Sequence, residues 1–590
     1  MNKGDFVELN IIDMTDEGLG IGKIKLNENN PPFTVFVEGA VFGEKVKCQI
    51  REVKKNYAKA KVSNVIEESN CLKTVVCPYI DKCGGCGYGK LNYETQLMLK
   101  EKKVVDKLVR LGKLENPKVN PIIPSIRKVS YRNKAKIFVY QDIVGFKERK
   151  SNLVTDCLSC KIQDERAMSI ANALRNFLKN SKDKNVIDNI VVRTTNASTM
   201  VIINRKTKKD LDWEKLVYMM DDSIEDLASV YLDDKLIAGS NTIVQEIGGL
   251  NFEVSPLSFY QVNPNTMVKL YDKVIEYLDL EGTETVLDLY CGVGTIGIFI
   301  INDMAKKTIK SLTDVPGSII GIESVKSAII DANRNAVING IVNARYILGK
   351  AEIELPAMLG LEKLYKPNEV NKMVEKEPEI KLDTCDYVVL DPPRAGCDKK
   401  LLDAIVKSSP KKIVYVSCDP GTLARDIKYL NENGYEFLEA TPVDMFPDTT
   451  HVETVCLLTR ETTAHDMKLN PEPFEMIKSG MKTIELRLFD EKRQRIKVGD
   501  RIIFTQTVTG EKLSIKVEKL HRFDSFDELY KSLPLLKCGY TEQTVTDAKP
   551  SDMEEYYSAE EQKKYGVVGI EVSRLNEDTD ECVVLLSKHS

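Results

Sequence analysis

Long apolar runs are missing from this sequence of 590 residues, and none approaches the roughly 18 residues that a membrane-spanning helix needs. The first residues, Met-Asn-Lys-Gly-Asp-Phe, also lack the apolar core of a secretory signal. Neither sign of charge dominates, because 84 Lys and Arg residues oppose 89 Asp and Glu residues and leave a formal net charge of -5. We therefore expect a cytoplasmic protein without membrane spans. A globally basic nucleic-acid coat is excluded, whereas local basic patches are not.

Cysteine is too sparse for a disulfide scaffold, with 14 residues in the whole chain, but it is strongly clustered. The cluster consists of Cys77, Cys83 and Cys86, with Cys157 and Cys160 further along. Four thiolates fit a zinc ion or an iron–sulfur cluster. Three close cysteines with one remote partner favour the cluster, because structural zinc usually takes two close pairs. Either Cys157 or Cys160 can be the fourth ligand, and Cys71 is surplus.

Hydrophobic patterning divides the chain into four predicted domains. The first has short alternating segments separated by glycine-containing turns such as 16–22, which is typical of a small β-barrel. Its basic stretch 43–61 is suited to following a phosphate backbone. The second contains the cysteine cluster and mixed helical and strand patterns. The predicted boundaries are 1–66 for the barrel, 67–250 for the central α+β domain, 251–460 for an α/β domain and 467–578 for a C-terminal unit.

The third domain alternates buried strands with helical patterns, which predicts a doubly wound α/β fold. The predicted strands are 285–289, 318–322, 387–390, 412–416 and 452–458. Two polar interruptions are expected, a short one at 303–316 and a charged surface excursion at 361–383. In the C-terminal unit, a helix over 473–479 and a turn at Val498-Gly499-Asp500 indicate a second small barrel.

A glycine-rich turn follows the first strand of the α/β domain, in the segment Asp288-Leu-Tyr-Cys-Gly-Val-Gly-Thr295. Glycines allow a ligand to approach the backbone, and the helix that follows favours an anionic group at its N-terminus. Glu323 ends the next strand, where a carboxylate can bind ribose hydroxyls. It lies 35 residues after Asp288, and the interruption at 303–316 accounts for this long spacing. Alone, this pattern is compatible with several nucleotides.

Three reactive side chains follow or begin later strands of the same domain. Asp391-Pro-Pro forms a rigid turn after one strand, Cys418 follows the next, and Glu453 opens the last. Ligand sites of α/β folds lie at this edge of the sheet. A thiol there is placed to act as a nucleophile and a carboxylate as a base.

Together these segments resemble the S-adenosylmethionine-dependent RNA (uracil-5-)-methyltransferases, in particular the 23S rRNA uridine-C5 type. The resemblance extends over residues 1–460 and includes a TRAM-type barrel. The segments are Asp288–Thr295, Asp391–Gly396, Val416–Asp426, Phe446-Pro447 before His451-Val452-Glu453, and Ser255–Pro264. The Cys418 segment is the most specific of these, since other methyltransferases carry Asp-Pro-Pro without it.

The resemblance implies a Rossmann-like catalytic domain that uses S-adenosylmethionine. Cys418 would add to C6 of uracil as the nucleophile, and Glu453 would remove the C5 proton as the base. Gln261, Tyr290, Glu323 and Asp391 would bind the cofactor or lie beside its methyl group. It also implies a [4Fe-4S] cluster on Cys77, Cys83, Cys86 and Cys160, with a structural or RNA-positioning role. The segment Tyr131–Lys136 resembles a basic strand that faces RNA.

The C-terminal unit resembles an ASCH domain, a PUA-like β-barrel, on the segments Gly480–Arg487 and Val498–Asp500. The resemblance implies a second RNA-binding module. Lys482, Glu485 and Arg487 alternate along a strand and are candidates to line its cleft.

The expected partner is RNA, with 23S rRNA favoured and tRNA as the alternative, and the protein is expected to act as a monomer. Two rival functions remain. A base amino-group methyltransferase would share Asp-Pro-Pro without needing Cys418, and a non-catalytic RNA-binding protein would transfer no methyl group.

Overall fold

The computed structural model describes residues 1–25, 31–74, 77–149, 151–258, 260–361, 380–382 and 385–574. Two compact units emerge, Met1–Thr459 and Arg460–Ser590. Within the described ranges, no helix combines the length and apolarity needed to cross a bilayer. Most of the expected charged excursion at 361–383 lies outside the described residues.

The first unit begins with a closed five-stranded barrel in the order β1-β2-β3-β5-β4, which confirms the expected fold. Its strands are β1 (Phe6–Met14), β2 (Gly20–Ile24), β3 (Phe33–Glu38), β4 (Lys45–Val53) and β5 (Tyr57–Glu67). The expectation that 16–22 is a turn was wrong at its end, because Gly20 to Gly22 belong to β2. A Cβ on Gly20 would lie 2.9 Å from Ile11 Cγ2, so glycine here serves close strand packing instead of a turn.

A seven-stranded sheet forms the core of the central region, in the order β12-β11-β10-β9-β6-β7-β8. Its elements follow helix α1 (Tyr93–Arg110) and are β6 (Lys134–Tyr140), β7 (Ile143–Lys147), β8 (Val154–Asp156), α2 (Glu165–Lys179), β9 (Ile187–Thr194), β10 (Thr199–Arg205), α3 (Trp213–Asp221), β11 (Leu227–Leu232) and β12 (Lys235–Gly239). A hairpin of β13 (Ile243–Ile247) and β14 (Leu250–Val254) then leads into the α/β region. Helix α1 begins at a side-chain cap, where Asn92 accepts a hydrogen bond from the Thr95 backbone.

The α/β region is a seven-stranded sheet in the order β17-β16-β15-β18-β19-β21-β20, as expected for a Rossmann-like methyltransferase. Its elements are α4 (Pro264–Leu278), β15 (Thr285–Leu289), α5 (Thr295–Thr308), β16 (Ser318–Glu323), α6 (Lys326–Ile338), β17 (Ala344–Leu348), α7 (Ala351–Met358), β18 (Tyr387–Leu390), α8 (Lys399–Ser408), β19 (Lys412–Ser417), α9 (Pro420–Asn431), β20 (Tyr435–Val443) and β21 (Glu453–Arg460). Strands β15 to β19 pair in parallel, whereas β21 runs antiparallel to β19. Apolar clusters that include Ile296 and Leu401 cover its two faces.

The polar interruption expected at 303–316 begins later than the sequence suggested, because α5 continues to Thr308. Met304 and Ala305 are buried on this helix, and Lys306 and Lys307 lie on its exposed side in the last turn. Basic residues at a helix C-terminus interact favourably with the helix dipole. Their polarity therefore marks the end of a helix.

The second unit is built around a five-stranded sheet in the order β22-β24-β25-β26-β23. Its elements are β22 (Ala464–Leu469), α10 (Pro471–Ser479), β23 (Ile484–Leu488), β24 (Arg501–Gln506), β25 (Lys512–Phe523), α11 (Phe526–Ser532), α12 (Ala559–Tyr565) and β26 (Val567–Arg574). Buried Asp500 fixes the turn before β24, since it accepts hydrogen bonds from Arg460 Nη1 at 2.9 Å and the Lys497 backbone at 2.9 Å. Phe474 and Phe504 are buried in its core.

Candidate active site and cysteine cavity

The glycine-rich turn after β15 folds back on the end of β16. Tyr290 adopts a left-handed backbone with φ of 65°, and its N–H donates to the Ile322 carbonyl at 2.9 Å. Glu323 accepts hydrogen bonds from the Gly292 backbone at 3.3 Å and the Val325 backbone at 2.9 Å. The predicted residues Tyr290 and Glu323 therefore lie together at the carboxyl ends of adjacent strands. A Cβ on Gly294 would lie 2.6 Å from the Tyr346 hydroxyl, so this position requires glycine.

Asp288 is a buried carboxylate beneath this turn, and we assigned it no role from the sequence. One oxygen accepts a hydrogen bond from the Gly297 backbone at 3.1 Å. The other oxygen has no hydrogen-bond partner among the described residues. Burial raises the pKa of Asp288 to about 7, and the negative charge of Glu323 adds to this effect. Its position at the end of a buried strand was the only signal in the sequence.

Gln261 lies in the segment that enters helix α4. Its side chain is buried, and its backbone carbonyl accepts a hydrogen bond from Asn133 Nδ2 at 3.0 Å. Asn263 caps the helix through a hydrogen bond from the Thr266 backbone at 3.3 Å. These bonds hold the segment between the start of β6 and helix α4.

Asp391 follows β18 and continues its pairing with β15, since its N–H donates to the Leu289 carbonyl at 3.3 Å.

The sheet register brings Cys418 and Glu453 to neighbouring positions. Ser417 pairs with Thr454 across β19 and β21, so the next positions along the two strands are Cys418 and Glu453. Glu453 is only 3% exposed, and its Oε2 atom has no hydrogen-bond partner in the described part of the chain. The pKa of Glu453 is raised to about 8, chiefly by burial and also by the charge of Asp391, while Arg394 opposes the shift. A carboxyl group in such surroundings is suited to exchange protons near neutral pH.

Cys418 is half-buried at the end of β19. Burial raises the pKa of its thiol to about 11, and the charge of Glu453 contributes in the same direction. The positive charge of Arg394 lowers this pKa. Because the thiolate is the nucleophilic form, positive charge beside Cys418 favours reaction.

Arg394 and His451 form a contact that the sequence did not predict. Arg394 Nη2 lies 3.2 Å from Nε2 and 3.4 Å from Nδ1 of the His451 ring. Burial and the nearby cations lower the pKa of His451 to about 4, so the ring is neutral and accepts from the guanidinium. Both residues lie inside motifs recognised in the sequence, but nothing local indicated that they meet.

The loop after β18 is attached to helix α9, which follows Cys418. Asp426 Oδ2 accepts hydrogen bonds from the Cys397 backbone at 2.8 Å and from the Tyr415 hydroxyl at 2.7 Å. Thr422 Oγ1 donates to the Arg394 carbonyl at 3.1 Å. These bonds keep Arg394 beside the thiol.

The clustered cysteines face one cavity, which is lined by Cys77, Cys83, Cys86, Cys157 and Cys160. Backbone N–H groups of Ile162 and Gln163 point at the Cys160 sulfur and lower its pKa, although burial raises it more. Cys157 differs, since it is fully buried and its thiol donates to the Thr155 carbonyl at 3.3 Å. The Cys157 sulfur also receives one N–H group, from Phe146, against two at Cys160, so the larger number of thiolate-stabilising bonds makes Cys160 the better candidate ligand.

No three His, Cys, Asp or Glu side chains in the described ranges converge closely enough to hold a single metal ion. Such convergence on one point is needed only where the ligands bind a single ion. In a four-iron cluster each thiolate binds a different iron, so the sulfurs surround a volume and need not meet at a point. The cysteines that line this cavity are the residues that would hold such a cluster. Cys71 packs near Leu91 instead and does not line the cavity.

A basic cleft of about 560 Å³ lies between residues 77–88, here called the cysteine segment, and His451. Its cationic lining comprises Arg132, Lys134, Lys136, Lys147 and Arg149, and His451 lies at the same cleft. A second cleft of about 1040 Å³ shares Cys86 and Arg149 with it and extends along the barrel past Arg51, Lys59 and Lys61. Tyr131 is buried and donates to the Pro447 carbonyl at 2.9 Å, and within 131–136 the residues that line the cleft are Arg132, Lys134 and Lys136.

In the second unit, Glu485 contacts both Lys482 and Arg487. Glu485 is buried, and its two oxygens lie 2.8 Å from Lys482 Nζ and 2.8 Å from Arg487 Nε. The two cations lower the pKa of Glu485 against the effect of burial.

Three family models match consecutive parts of the chain. A TRAM domain matches residues 2–63, the tRNA (Uracil-5-)-methyltransferase family matches residues 231–461, and an ASCH domain matches residues 467–576. The methyltransferase match covers the α/β region described above, and the ASCH match covers most of the second unit.

Similar proteins cover most of the chain. An uncharacterized RNA methyltransferase of Caldanaerobacter subterraneus subsp. tengcongensis is 38% identical over 78% of this chain and 100% of its own length. An uncharacterized RNA methyltransferase of Clostridium tetani is 36% identical over 78% of this chain and 97% of its own length. The crystal structure of Pyrococcus abyssi tRNA (uracil-54, C5)-methyltransferase with S-adenosyl-L-homocysteine is 25% identical, with a TM-score of 0.56, over 77% of this chain and 100% of that chain. The chain therefore belongs to the S-adenosylmethionine-dependent RNA (uracil-5-)-methyltransferase family, with a TRAM domain before its catalytic region and an ASCH domain after it.

Proposed function

We propose that the enzyme methylates C5 of a uridine in RNA through a covalent bond between Cys418 and C6 of the base. The observation that carries this proposal is the register of β19 and β21, which places a thiol and a buried carboxyl side by side at the carboxyl edge of the sheet. A nucleophile and a proton acceptor are the two groups that this chemistry needs.

The residues have separate roles in the proposed reaction. The Cys418 thiolate adds to C6, and the electrons of the C5–C6 double bond move toward O4 as an enolate. Bound S-adenosylmethionine supplies the electrophilic methyl group that C5 receives. Glu453 then takes the C5 proton, the double bond forms again, and the Cys418 sulfur leaves C6 as a thiolate. Arg394 favours the thiolate at the start and at the end of this sequence.

S-adenosylmethionine fits the turn between β15 and β16. The Glu323 carboxylate is placed for ribose hydroxyls, and Tyr290 lies at the same edge. We assign Gln261 to the same site and Asp391 to the position beside the methyl group and the base. The unpartnered Asp288 oxygen supports a bound ligand here.

The basic clefts provide a path for RNA from the barrel to Cys418. Lys and Arg side chains there can neutralise successive phosphates, and the target uridine must leave its stack to reach the buried thiol. We favour 23S rRNA as the substrate because the clustered cysteines Cys77, Cys83, Cys86 and Cys160 resemble those of the 23S rRNA uridine-C5 type of the family. tRNA is the alternative, supported by the description of the matching family and of the Pyrococcus abyssi enzyme.

We propose that Cys77, Cys83, Cys86 and Cys160 hold a [4Fe-4S] cluster with a structural or RNA-positioning role. The cavity that these cysteines line supports this assignment, and the N–H groups directed at Cys160 favour it over Cys157. Replacing Cys160 by Ser should lower the iron content of the anaerobically purified protein. The matched variant Cys157→Ser should keep its iron, and the reverse pattern would contradict the assignment.

A covalent trap tests the reaction. The full-length protein is mixed with S-adenosylmethionine and 5-fluorouridine-substituted rRNA or tRNA, and the products are separated on a denaturing gel. Fluorine cannot leave C5 as a proton, so the adduct should persist with the wild type and be absent with Cys418→Ala. The RNA that is trapped identifies the substrate. No adduct with either RNA, in protein that binds S-adenosylmethionine, would favour an amino-group methyltransferase or an RNA-binding protein without activity.

The predicted domains divide these tasks. We propose that residues 1–66 and 67–250 bind the RNA, that 251–460 catalyse the reaction, and that 467–578 form a second RNA-binding module. We propose a monomer in the cytoplasm as the working form.

A further inference from the structure

The segment 444–452 connects β20 with the strand that begins at Glu453, and we call it the base loop. Its first residue, Asp444, is fully buried and accepts hydrogen bonds from Lys100 Nζ at 2.5 Å and the Tyr93 hydroxyl at 2.8 Å. Lys100 also donates to the Phe446 carbonyl at 2.9 Å. Helix α1 therefore anchors the beginning of the base loop.

Asp448 anchors the middle of the base loop to the cysteine segment. Its Oδ1 atom accepts from Gln96 Nε2 at 2.9 Å and is paired with Lys73 Nζ, and its carbonyl accepts from the Tyr88 backbone at 2.9 Å. Asp448 and Lys73 line the same cavity as the clustered cysteines. Tyr88 follows the proposed ligand Cys86 by two positions. The base loop is thus in direct contact with the wall of the cysteine cavity.

A second contact lies closer to the active site. A Cβ on Gly87 would come within 2.6 Å of Thr450 Cγ2, which shows how closely the cysteine segment packs on the loop. From Asp448 to Glu453 all residues except His451 are buried. Four residues separate Asp448 from Glu453, and three of them are buried and have little room to absorb a displacement at Asp448.

We propose that Asp448 is a positioning residue through which an occupied cysteine cavity holds Glu453 beside Cys418. This inference rests on the cluster assigned above. An occupied cavity fixes Lys73, which lines it and pairs with the Asp448 side chain. A cluster bound to Cys86 also fixes Gly87 and Tyr88, and these contacts together hold the base loop. The position of Cys418 does not depend on this route, because it is set by β19 and by helix α9.

The inference separates two steps of the reaction. Addition of Cys418 to C6 and methylation of C5 need the nucleophile. Release needs Glu453, which takes the C5 proton while the C5–C6 double bond forms and the sulfur leaves as a thiolate. Loss of the Asp448 contact should slow release and spare addition, so a methylated adduct should accumulate on ordinary RNA.

Asp448→Asn tests this, with Asp81→Asn as the matched control. Asn tolerates the left-handed backbone of Asp448, whose φ is 66°, and still accepts from Gln96, but it loses the charge that pairs with Lys73. Asp81 lies in the same cysteine segment and is exposed, where it pairs with Lys90 at 2.6 Å. Each protein is loaded with iron, its iron content is measured, and adduct formation and release are followed with both 5-fluorouridine and ordinary RNA.

With 5-fluorouridine RNA, we expect both variants to form the adduct at the wild-type rate. With ordinary RNA, Asp448→Asn should release product about ten- to a hundredfold more slowly, because small displacements of a catalytic group have effects of that size. Asp81→Asn should behave as the wild type. An Asp448→Asn protein that keeps its iron and releases product at the wild-type rate would overturn the inference. A wild-type protein that never forms the 5-fluorouridine adduct would instead contradict the proposed function.

Hydrogen–deuterium exchange supplies a measurement without turnover. In the wild type, chelation of the iron should speed exchange in 444–453 and leave α3 unchanged. Equal exchange in 444–453 with and without iron would refute the coupling, even where Asp448→Asn itself loses iron.

Discussion

Removing the guanidinium of Arg394 should shift the pH dependence of the covalent step. Arg394 lowers the pKa of the Cys418 thiol, which burial raises to about 11. Below that pKa, each unit of increase in the thiol pKa reduces the thiolate fraction tenfold at a given pH. An opposite charge near an ionisable group shifts its pKa by about 1–3 units, and the exposure of Arg394 argues for the lower end. Arg394→Met should therefore raise the thiol pKa by about one unit.

The assay is the rate of adduct formation with 5-fluorouridine RNA, because this step does not need removal of a C5 proton. Near pH 8, Arg394→Met should react about tenfold more slowly than the wild type, and raising the pH by about one unit should restore the rate. Arg394→Lys keeps the charge and should stay close to the wild-type profile. The rates are compared at saturating RNA, and loss of the tenfold difference there would refute the reasoning, because it would assign Arg394 to RNA binding instead of thiolate stabilisation.

Three further predictions concern other parts of the site. Glu453→Gln should slow turnover about a hundred- to ten-thousandfold, because it removes the general base, and rapid-quench kinetics should show adduct on ordinary RNA. Lys100→Met leaves the buried Asp444 carboxylate without its cation and should destabilise the base loop by about 3–5 kcal/mol, measured by hydrogen exchange. The double variant Lys100→Met with Asp444→Asn should destabilise the base loop less than Lys100→Met alone, because it leaves no unpaired buried charge. Gly294→Ala, which pushes on Tyr346, should weaken S-adenosylmethionine binding about tenfold in calorimetry, and unchanged affinity would argue against a cofactor at this turn.

Much of the α/β fold was predictable because its signals are local. Four buried apolar runs each end at or just before a polar or reactive side chain that is a candidate site residue. The structure ends the corresponding strands at Leu289, Glu323, Leu390 and Ser417. Parallel strands bring their carboxyl ends to one edge, so the relative placement of Tyr290, Glu323 and Asp391 follows from the fold. The roles of these residues stay predictions.

The contacts that refine the site were not predictable, because they join residues far apart in the chain. Arg394 meets His451 across 57 positions, and Lys100 meets Asp444 across 344. A lysine inside an amphipathic helix normally indicates an exposed face, and only the packed structure shows that Lys100 is buried with a partner. The glycines of β2 were mistaken for a turn for a related reason, since the close packing that requires them comes from a neighbouring strand.

The antiparallel pairing of β19 with β21 holds the two sides of the candidate active site together by backbone hydrogen bonds as well as by the chain that connects them. Cys418 and Glu453 lie on opposite sides of the exposed residues 431–433, which lead from α9 into β20. Backbone pairing from Lys412–Thr459 to Ser417–Thr454 holds the two strands together across this point. A nick or new termini at 431–433 would leave the nucleophile on one fragment and the base on the other. We expect two fragments made there to be inactive separately and to regain a reaction centre when the sheet reassembles.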